Sequence, residues 1–117
     1  MKLPNRENAV VPREKLVDYL LCETHPVGRG KAKFFRSYGY NENNVDVLEH
    51  GLLELARLGD VDETETKPSG DLFAIEGSLE TPIGAVIQVR SVWFIENGTQ
   101  TPRLVTAYPA GKKGSRR

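Results

Sequence analysis

The sequence predicts an α+β domain in which about three N-terminal helices precede a three- to four-stranded antiparallel sheet arranged as a meander. Apolar residues recur at helical spacing between Val45 and Ala56, as on the buried face of a helix. Residues 84–96 are rich in β-branched and aromatic residues and contain no proline, which is typical of a strand. Asn97-Gly98 tolerates positive φ and marks a reversal into a second strand-like run, residues 102–108.

Composition places the chain among ordinary globular proteins with one hydrophobic core. It has 117 residues, 38% of them hydrophobic, and zero net charge, which predicts a single domain over residues 1–109. Residues 110–117 are basic and contain glycine, and we predict a disordered tail there. No apolar run approaches the roughly 20 residues of a membrane helix, and residues 1–5 lack the apolar core of a signal peptide. We therefore expect no membrane association.

Cysteine and histidine usage predicts the compartment and argues against a metal centre. Cys22 is the only cysteine, so there is no disulfide framework and a reducing, cytoplasmic environment is expected. His25 and His50 are far apart in sequence, and one cysteine cannot make a structural zinc site. We expect neither a metal nor another cofactor, and we expect His50 to lie on the surface.

An extended arm and a first helix are predicted at the start of the chain. Residues 1–12 form the arm, whose apolar residues 9–11 either pack on the core or add a short edge strand. Pro12 suits a first helical turn, and a helix is expected over residues 13–22. Its apolar stripe consists of Leu16, Val17, Leu20 and Leu21.

Two further helices are predicted before the sheet. Two glycines and Pro26 break the first helix, and a second helix is expected over residues 31–37. The third begins at Asn43 or Asn44, both of which are good N-cap residues. It ends at Gly59, which is predicted as the C′ residue.

The rest of the chain is predicted to be a loop followed by the strands. Residues 60–70 are polar and acidic and contain a proline, so we predict a loop that joins helices to sheet. Residues 71–79 are predicted as a strand with one apolar face, formed by Phe73, Ile75 and Leu79. Thr81-Pro82 then makes the turn into the long strand.

Side-chain alternation divides the long strand, residues 84–96, into two faces. The apolar face is predicted to be core and comprises Ala85, Ile87, Val89, Ser91, Trp93 and Ile95. The opposite face mixes apolar and polar residues, with a polar floor around Gln88 and Arg90. Such a floor is either a binding site or a solvated sheet face, and the strand pattern leaves both open.

Charges are segregated along the chain although they sum to zero. Four cations and no acid lie between Arg29 and Arg36, whereas residues 42–65 are strongly acidic. His25 stands just before this basic stretch. Histidine can move a proton near neutral pH, and lysine or arginine can stabilise charge that builds on a phosphate. These are the parts of a metal-independent ribonuclease; the alternative is a helix-capping histidine beside an exposed basic helix.

Three blocks of the sequence resemble a bacterial domain family without an assigned activity. They are residues 1–11 with 15–21, residues 25–35 (His-Pro-Val-Gly-Arg-Gly-Lys-Ala-Lys-Phe-Phe), and residues 91–95 with 102–108. The family occurs free-standing and at the C-terminal ends of secreted polymorphic toxins and phage-related proteins. Its block order is similar to the helices-then-sheet layout of the barnase, endonuclease-U and RelE-like ribonuclease toxins. The resemblance therefore implies a toxin-like domain that cleaves RNA, with a cognate immunity or antitoxin protein as partner.

The same resemblance implies site residues at the motif positions of this chain. The implied catalytic residues are His25, Lys31, Arg90, Arg103 and Thr106. His25 would act as general base or acid, Lys31 and Arg90 would bind the scissile phosphate, and Arg103 or Thr106 would orient it. The implied substrate-binding residues are Arg29, Lys33 and Trp93.

A non-catalytic binding or accessory module is the alternative function. In that case the basic helix docks an acidic partner protein, and the interface is anchored by the aromatic residues Trp93, Phe94, Tyr38 and Tyr40. An immunity-type protein is a third possibility, which the acidic stretch would suit and the toxin-like blocks do not. Zero net charge also fits a nuclease poorly, because contacts to phosphates supply most non-specific affinity for nucleic acid.

Overall fold

The computed structural model describes residues 1–22, 24 and 29–110, apart from the side chains of Tyr19 and Arg29. Helical segments in the first half of the chain are followed by a four-stranded antiparallel sheet, which confirms the predicted α+β class. From residue 111 onward, the predicted basic tail lies outside the described residues.

The first helix is shorter and wider than predicted. Helix α1 (Arg13–Lys15) passes directly into one π-helical turn (Leu16–Leu20), in which the Leu21 N–H donates to the Leu16 carbonyl at 2.8 Å. This wider turn brings Leu16, Leu20 and Leu21 into the core, where all three are fully buried. The second helix, α2 (Arg29–Ser37), begins two residues earlier than expected.

Helix α3 (Val45–Leu58) buries the apolar stripe that the sequence predicts, but its two ends differ from the prediction. A 3₁₀ turn (Glu42–Asn44) precedes it, and the side chain of Asn41 accepts a hydrogen bond from the Asn43 N–H at 2.8 Å. The cap therefore lies on the turn, and Asn44 makes no side-chain cap bond to α3.

Gly59 does end α3, although not as a left-handed C′ residue. Its φ is −80°, and its N–H donates to the Leu55 carbonyl at 2.9 Å. Glycine is needed here because there is no room for a side chain: a Cβ at this position would lie 2.6 Å from Ile75 Cγ2 and 2.8 Å from the Leu55 oxygen. The helix end therefore approaches the sheet more closely than a larger residue would allow.

The sheet contains four strands in the order β1 (Val61–Lys67), β2 (Gly70–Glu80), β3 (Val86–Glu96) and β4 (Arg103–Pro109). The prediction of a loop over residues 60–70 is wrong, because β1 occupies most of that range. All of β1 after Val61 is exposed, and as an edge strand it pairs with β2 alone. It therefore carries no buried face, and its sequence lacks the apolar alternation that identifies most strands.

The predicted turns and faces of the other strands are confirmed. Gly98 has a φ of +86°, and the Thr99 N–H donates to the Glu96 carbonyl at 3.0 Å, as the Asn97-Gly98 reversal requires. The predicted apolar faces of β2 and β3 both point into the core. Trp93 is fully buried there.

The opposite side of the sheet, here called the open face, carries the even-numbered residues of β2 and β3. Strand register adds residues of the neighbouring strands to it, because paired residues share a face. Glu63 of β1 pairs with Ala74, and Tyr108 of β4 pairs with Arg90. Helix α3 packs on the other side, where the Leu55 side chain fills the space left by Gly77 of β2.

The N-terminal arm runs from one edge of the sheet to the other. The Met1 carbonyl accepts the Val61 N–H at 2.7 Å beside β1, and Val10 forms a parallel bridge with Arg103 on β4. Leu3, Ala9 and Val11 of the arm are buried in the core. Both predicted roles of the arm, packing on the core and pairing at an edge, are therefore confirmed.

Within the described residues, no helix has the length and apolar character needed to cross a membrane.

Candidate active site on the open face

The polar floor predicted around Gln88 and Arg90 is a network of side chains on the open face. Arg90 Nη1 donates to Glu76 Oε2 at 2.8 Å, and Arg90 Nη2 donates to Glu63 Oε1. The Arg90 side chain is only 13% exposed, so the guanidinium sits in a partly desolvated position between two carboxylates. Gln88, two residues before Arg90 on β3, donates from Nε2 to Ser78 Oγ at 2.6 Å.

The surroundings of Arg90 keep it charged. Burial acts to lower its pKa, but the hydrogen bond to Glu76 and the electrostatic interactions with Tyr108, Glu76 and Glu63 outweigh that effect. The pKa of Arg90 is therefore raised above its ordinary value. A guanidinium carries five N–H donors, so two carboxylate partners leave donors for a third group.

A shallow cavity of about 170 Å³ opens beside this cation. Its walls include Arg90, Tyr108 and the apolar residues Leu72 and Val92. Glu63 and Glu65 of β1 close its outer side, so the cavity combines one cation with acids and an aromatic hydroxyl. Such a mixture can hold a polar group and exchange a proton with it.

Two other residues implied by the resemblance share this face with Arg90. Thr106 pairs with Val92, one step along the sheet from Arg90. Arg103 pairs with Phe94, beyond an irregularity of the β3–β4 register that follows Val92. The structure therefore brings Arg90, Thr106 and Arg103 onto one surface. They occupy three successive positions of the open face, level with Arg90, Val92 and Phe94 of β3, and do not form a single cluster.

The basic helix stands apart from this row. Lys31 and Lys33 lie on α2, whose Ala32 and Phe35 are buried in the helical layer on the other side of the sheet. Lys33 is exposed and Lys31 is half-buried. The structure does not bring either lysine to Arg90. His25 and the side chain of Arg29 fall outside the described residues.

Trp93 lies on the opposite face of β3 from Arg90. It is 0% exposed, and its indole Nε1 donates to Ser91 Oγ at 2.9 Å. Ser91 Oγ in turn donates to the Ile75 carbonyl at 3.0 Å. The indole of Trp93 packs in the core, so a substrate could touch it only if the core opened.

Sequence patterns did not identify Glu63, Glu76 and Ser78 of the network, or Tyr108 of the cavity wall. One signal could have found Glu76. The hairpin turn around Thr81-Pro82 fixes the β2–β3 register, and extending that register pairs Glu76 with Arg90. Glu63 had no such signal, because β1 itself was not predicted.

Among the described residues, no group of three or more histidine, cysteine, aspartate and glutamate side chains is arranged to hold a metal ion. His50 is exposed, as predicted, and its Nε2 lies 3.8 Å from Glu54 Oε2 on the next turn of α3.

The fold and the site thus define an α+β domain with a charged, partly uncovered sheet face. The chain belongs to the DUF6883 family, a domain of unknown function whose family model matches residues 2–111. This finding agrees with the resemblance of the three sequence blocks to a domain family without an assigned activity. Among curated proteins, none is detectably similar to the chain in sequence.

One solved structure shares the fold over nearly its whole length. It is a chain of a contact-dependent growth inhibition toxin–immunity protein complex from Klebsiella pneumoniae 342. The two chains are 20% identical, with a TM-score of 0.71, and the match covers 92% of this chain and 97% of that one. At 20% identity this similarity shows that the two chains share a fold. The matching chain belongs to a toxin–immunity protein complex.

Proposed function

We propose that this chain is a toxin-like domain that cleaves RNA by acid–base chemistry without a metal ion. The observation that carries the proposal is the Arg90–Glu76 pair, a partly desolvated cation beside a carboxylate. Arg90 of this pair also lines the cavity on the open face. The fold shared with a chain of a toxin–immunity complex supports the toxin-like part. Helices followed by a four-stranded antiparallel sheet support a narrower likeness to the barnase, endonuclease-U and RelE-like ribonuclease toxins.

The proposed chemistry is attack by a ribose 2′-hydroxyl on the adjacent phosphorus. Glu76, whose side chain is 32% exposed, takes the hydroxyl proton. The new P–O2′ bond forms as the P–O5′ bond breaks, which leaves a 2′,3′-cyclic phosphate. Arg90 stabilises the negative charge that builds on the phosphate oxygens. Tyr108, beside Arg90 in the cavity wall, hydrogen-bonds a phosphate oxygen.

The remaining proposed roles follow the motif positions. His25 protonates the departing O5′, since an imidazole is suited to proton transfer near neutral pH. Thr106 orients the phosphate from the next position of the open face, and Arg103 holds the adjoining stretch of RNA. Lys31, Lys33 and Arg29 attract RNA from α2 without touching the phosphate that is cleaved.

A cognate immunity protein is the proposed protein partner, and the cytoplasm, which holds the cell's RNA, is the proposed place of action. The partner would block cleavage by covering the open face. Co-expression with the product of an adjacent gene should then relieve any toxicity of the wild-type chain.

One observation favours a non-catalytic binding module instead. Glu63 and Glu76 both contact the Arg90 guanidinium, so the cation is already neutralised and a phosphate must compete with them. In such a module the charged floor would serve as a specific surface for a partner protein.

Incubation of the purified chain with total RNA and with transfer RNA, in EDTA, separates these two functions. Wild-type protein should cleave RNA and leave cyclic phosphate ends. Glu76→Gln keeps the side-chain volume but removes the base, and should lower the cleavage rate by about 10²- to 10⁴-fold. Arg90→Ala should lower it by about 10²- to 10³-fold. His25→Ala tests the proton donor in the same assay.

The matched control is Glu54→Gln, the same chemical change at an exposed position on α3. It should cleave at the wild-type rate. Absence of cleavage by wild-type protein at high concentration would favour the binding module. Cleavage that survives Glu76→Gln but not His25→Ala would move the active site away from the open face.

A further inference from the structure

A groove, separate from the cavity beside Arg90, lies at the β4 edge of the open face, where α1 meets the sheet. Its volume is about 340 Å³, larger than the cavity beside Arg90. Pro12, Glu14 and Lys15 line it from the helix, and the sheet contributes Phe94, Arg103, Leu104 and Val105. The groove therefore combines one aromatic ring and other apolar residues with two cations and a single carboxylate.

The Phe94 ring packs against the neighbouring strand β2 on one side. It extends over Gly70 of the neighbouring strand, where a Cβ would lie 2.6 Å from the ring atom Cζ. Phe94 is also half-buried, so part of its surface remains open to the groove. A partly exposed aromatic ring that packs in this way can stack on a planar partner.

Arg103 is exposed and forms no ion pair with any carboxylate in the described part of the chain, in contrast to Arg90. Charge on the open face is therefore polarised. The β1–β2 side carries Glu63 and Glu76, whereas the β4 side carries Arg103 and, across the groove, Lys15. An anionic chain would approach from the β4 side.

The groove and the candidate active site lie on the same face of β3. Phe94, Val92 and Arg90 occupy alternate positions of the strand and share the open face. At about 3.3 Å per residue, Phe94 lies roughly 13 Å from Arg90 along the strand. A ligand that reaches both must be longer than one nucleotide.

We propose that this groove binds single-stranded RNA next to the cleaved phosphate, with one base stacked on Phe94 and a backbone phosphate held by Arg103 and Lys15. Proteins that bind single strands combine such stacking platforms with cationic grooves. The RNA would run from the groove along β3 to Arg90. This inference rests on the proposed ribonuclease function for its substrate, and it names the part of the surface that holds that substrate.

The test measures binding without cleavage. The probe is a fluorescein-labelled decauridylate with 2′-O-methyl groups, which lacks the attacking hydroxyl, and its anisotropy is followed in EDTA over a range of salt concentrations. Phe94→Leu keeps an apolar side chain and removes the π face, so the Kd should rise about fivefold or more at every salt concentration. Arg103→Ala should weaken binding and flatten the slope of log K against log salt by about 0.7.

Arg57→Ala is the matched control, because it removes one exposed arginine from α3 on the other side of the sheet. It should bind the probe as wild type does. Thermal melting of Phe94→Leu should show a folded protein at the assay temperature. The groove is not an RNA subsite if Phe94→Leu and Arg103→Ala bind like Arg57→Ala, or if wild-type protein does not bind the probe at all.

The outcomes also separate this inference from the proposed function. Wild-type cleavage of RNA with unaltered probe binding in both groove variants would overturn the subsite alone. Probe binding that depends on Phe94 and Arg103, without cleavage of natural RNA, would overturn the ribonuclease and leave the groove as a site for single-stranded RNA.

Discussion

At the scale of single residues, Arg36 joins parts of the chain that are separate in sequence. Its Nε and Nη2 donate to the Leu21 carbonyl at 2.9 and 2.7 Å, and Nη2 also contacts the Glu42 carboxylate. The arginine thus ties α2 both to the end of the π-helical turn and to the turn that precedes α3. The sequence pattern identified Arg36 only as the last cation of the basic stretch.

Glu42→Gln should reveal this contact through pH. The hydrogen bond from Arg36 lowers the pKa of Glu42 in the folded protein. A lowered folded-state pKa stabilises the protein above the unfolded-state pKa, and that stability is lost as pH falls through the folded-state pKa. The melting temperature of wild type should therefore exceed that of Glu42→Gln at pH 7, by a small margin because Glu42 is exposed. The two should converge in acid.

The Arg36→Ala background supplies the control for that measurement. Adding Glu42→Gln to it should change the melting temperature little at pH 7, because the partner is already gone. A gap between wild type and Glu42→Gln that persists unchanged into acid would contradict the pairing.

At the same scale, the candidate site was only partly predictable. Arg90 could be placed on a polar face because alternation along one strand is a local property. Its partners Glu76 and Glu63 come from two other strands, 14 and 27 residues away, so only the register of the sheet brings them together.

At the scale of elements, close packing of α3 on the sheet depends on glycines where the two meet. Gly59 at the helix end lies against Ile75, and Gly77 of β2 lies under Leu55. Neither glycine has a positive φ, so each is required for space and not for backbone conformation.

Gly59→Ala and Gly30→Ala should therefore change stability in opposite directions. At Gly59 the added Cβ collides with Ile75 and with the Leu55 carbonyl, so the free energy of unfolding should fall by about 1–3 kcal/mol. At Gly30 in α2 the added Cβ meets no described atom within 4 Å, so unfolding free energy should rise by up to about 1 kcal/mol. Urea denaturation measures both, and equal effects would contradict the packing.

At the scale of the whole molecule, one core serves the arm, the helices and the sheet. The buried cluster includes Leu3 of the arm, Leu16 and Leu20 of the π-helical turn, Leu48 of α3 and Trp93 of β3. The described residues contain no second core that would let one part of the chain unfold on its own. Such a molecule should behave as one cooperative unit.

Trp93, the only tryptophan of the chain, allows a test of that cooperativity. Its fluorescence reports the centre of the core, whereas circular dichroism at 222 nm reports chiefly the helices. Both signals should give the same urea midpoint within error. A fluorescence midpoint well separated from the dichroism midpoint would mean that sheet and helices unfold independently.

The sequence by itself determined the α+β class, the helical stripe of α3, the core face of β3 and the Asn97-Gly98 reversal. Each depends on residues that are close together in the chain, through a hydrophobic period of 3.6 residues in the helix or 2 in the strand and through local backbone preferences. The tertiary structure alone decided the strand character of β1, the carboxylates around Arg90 and the groove between α1 and β4. These depend on pairing and packing between distant segments, which no local pattern encodes, and β1 in particular is a strand only because β2 supplies its hydrogen bonds.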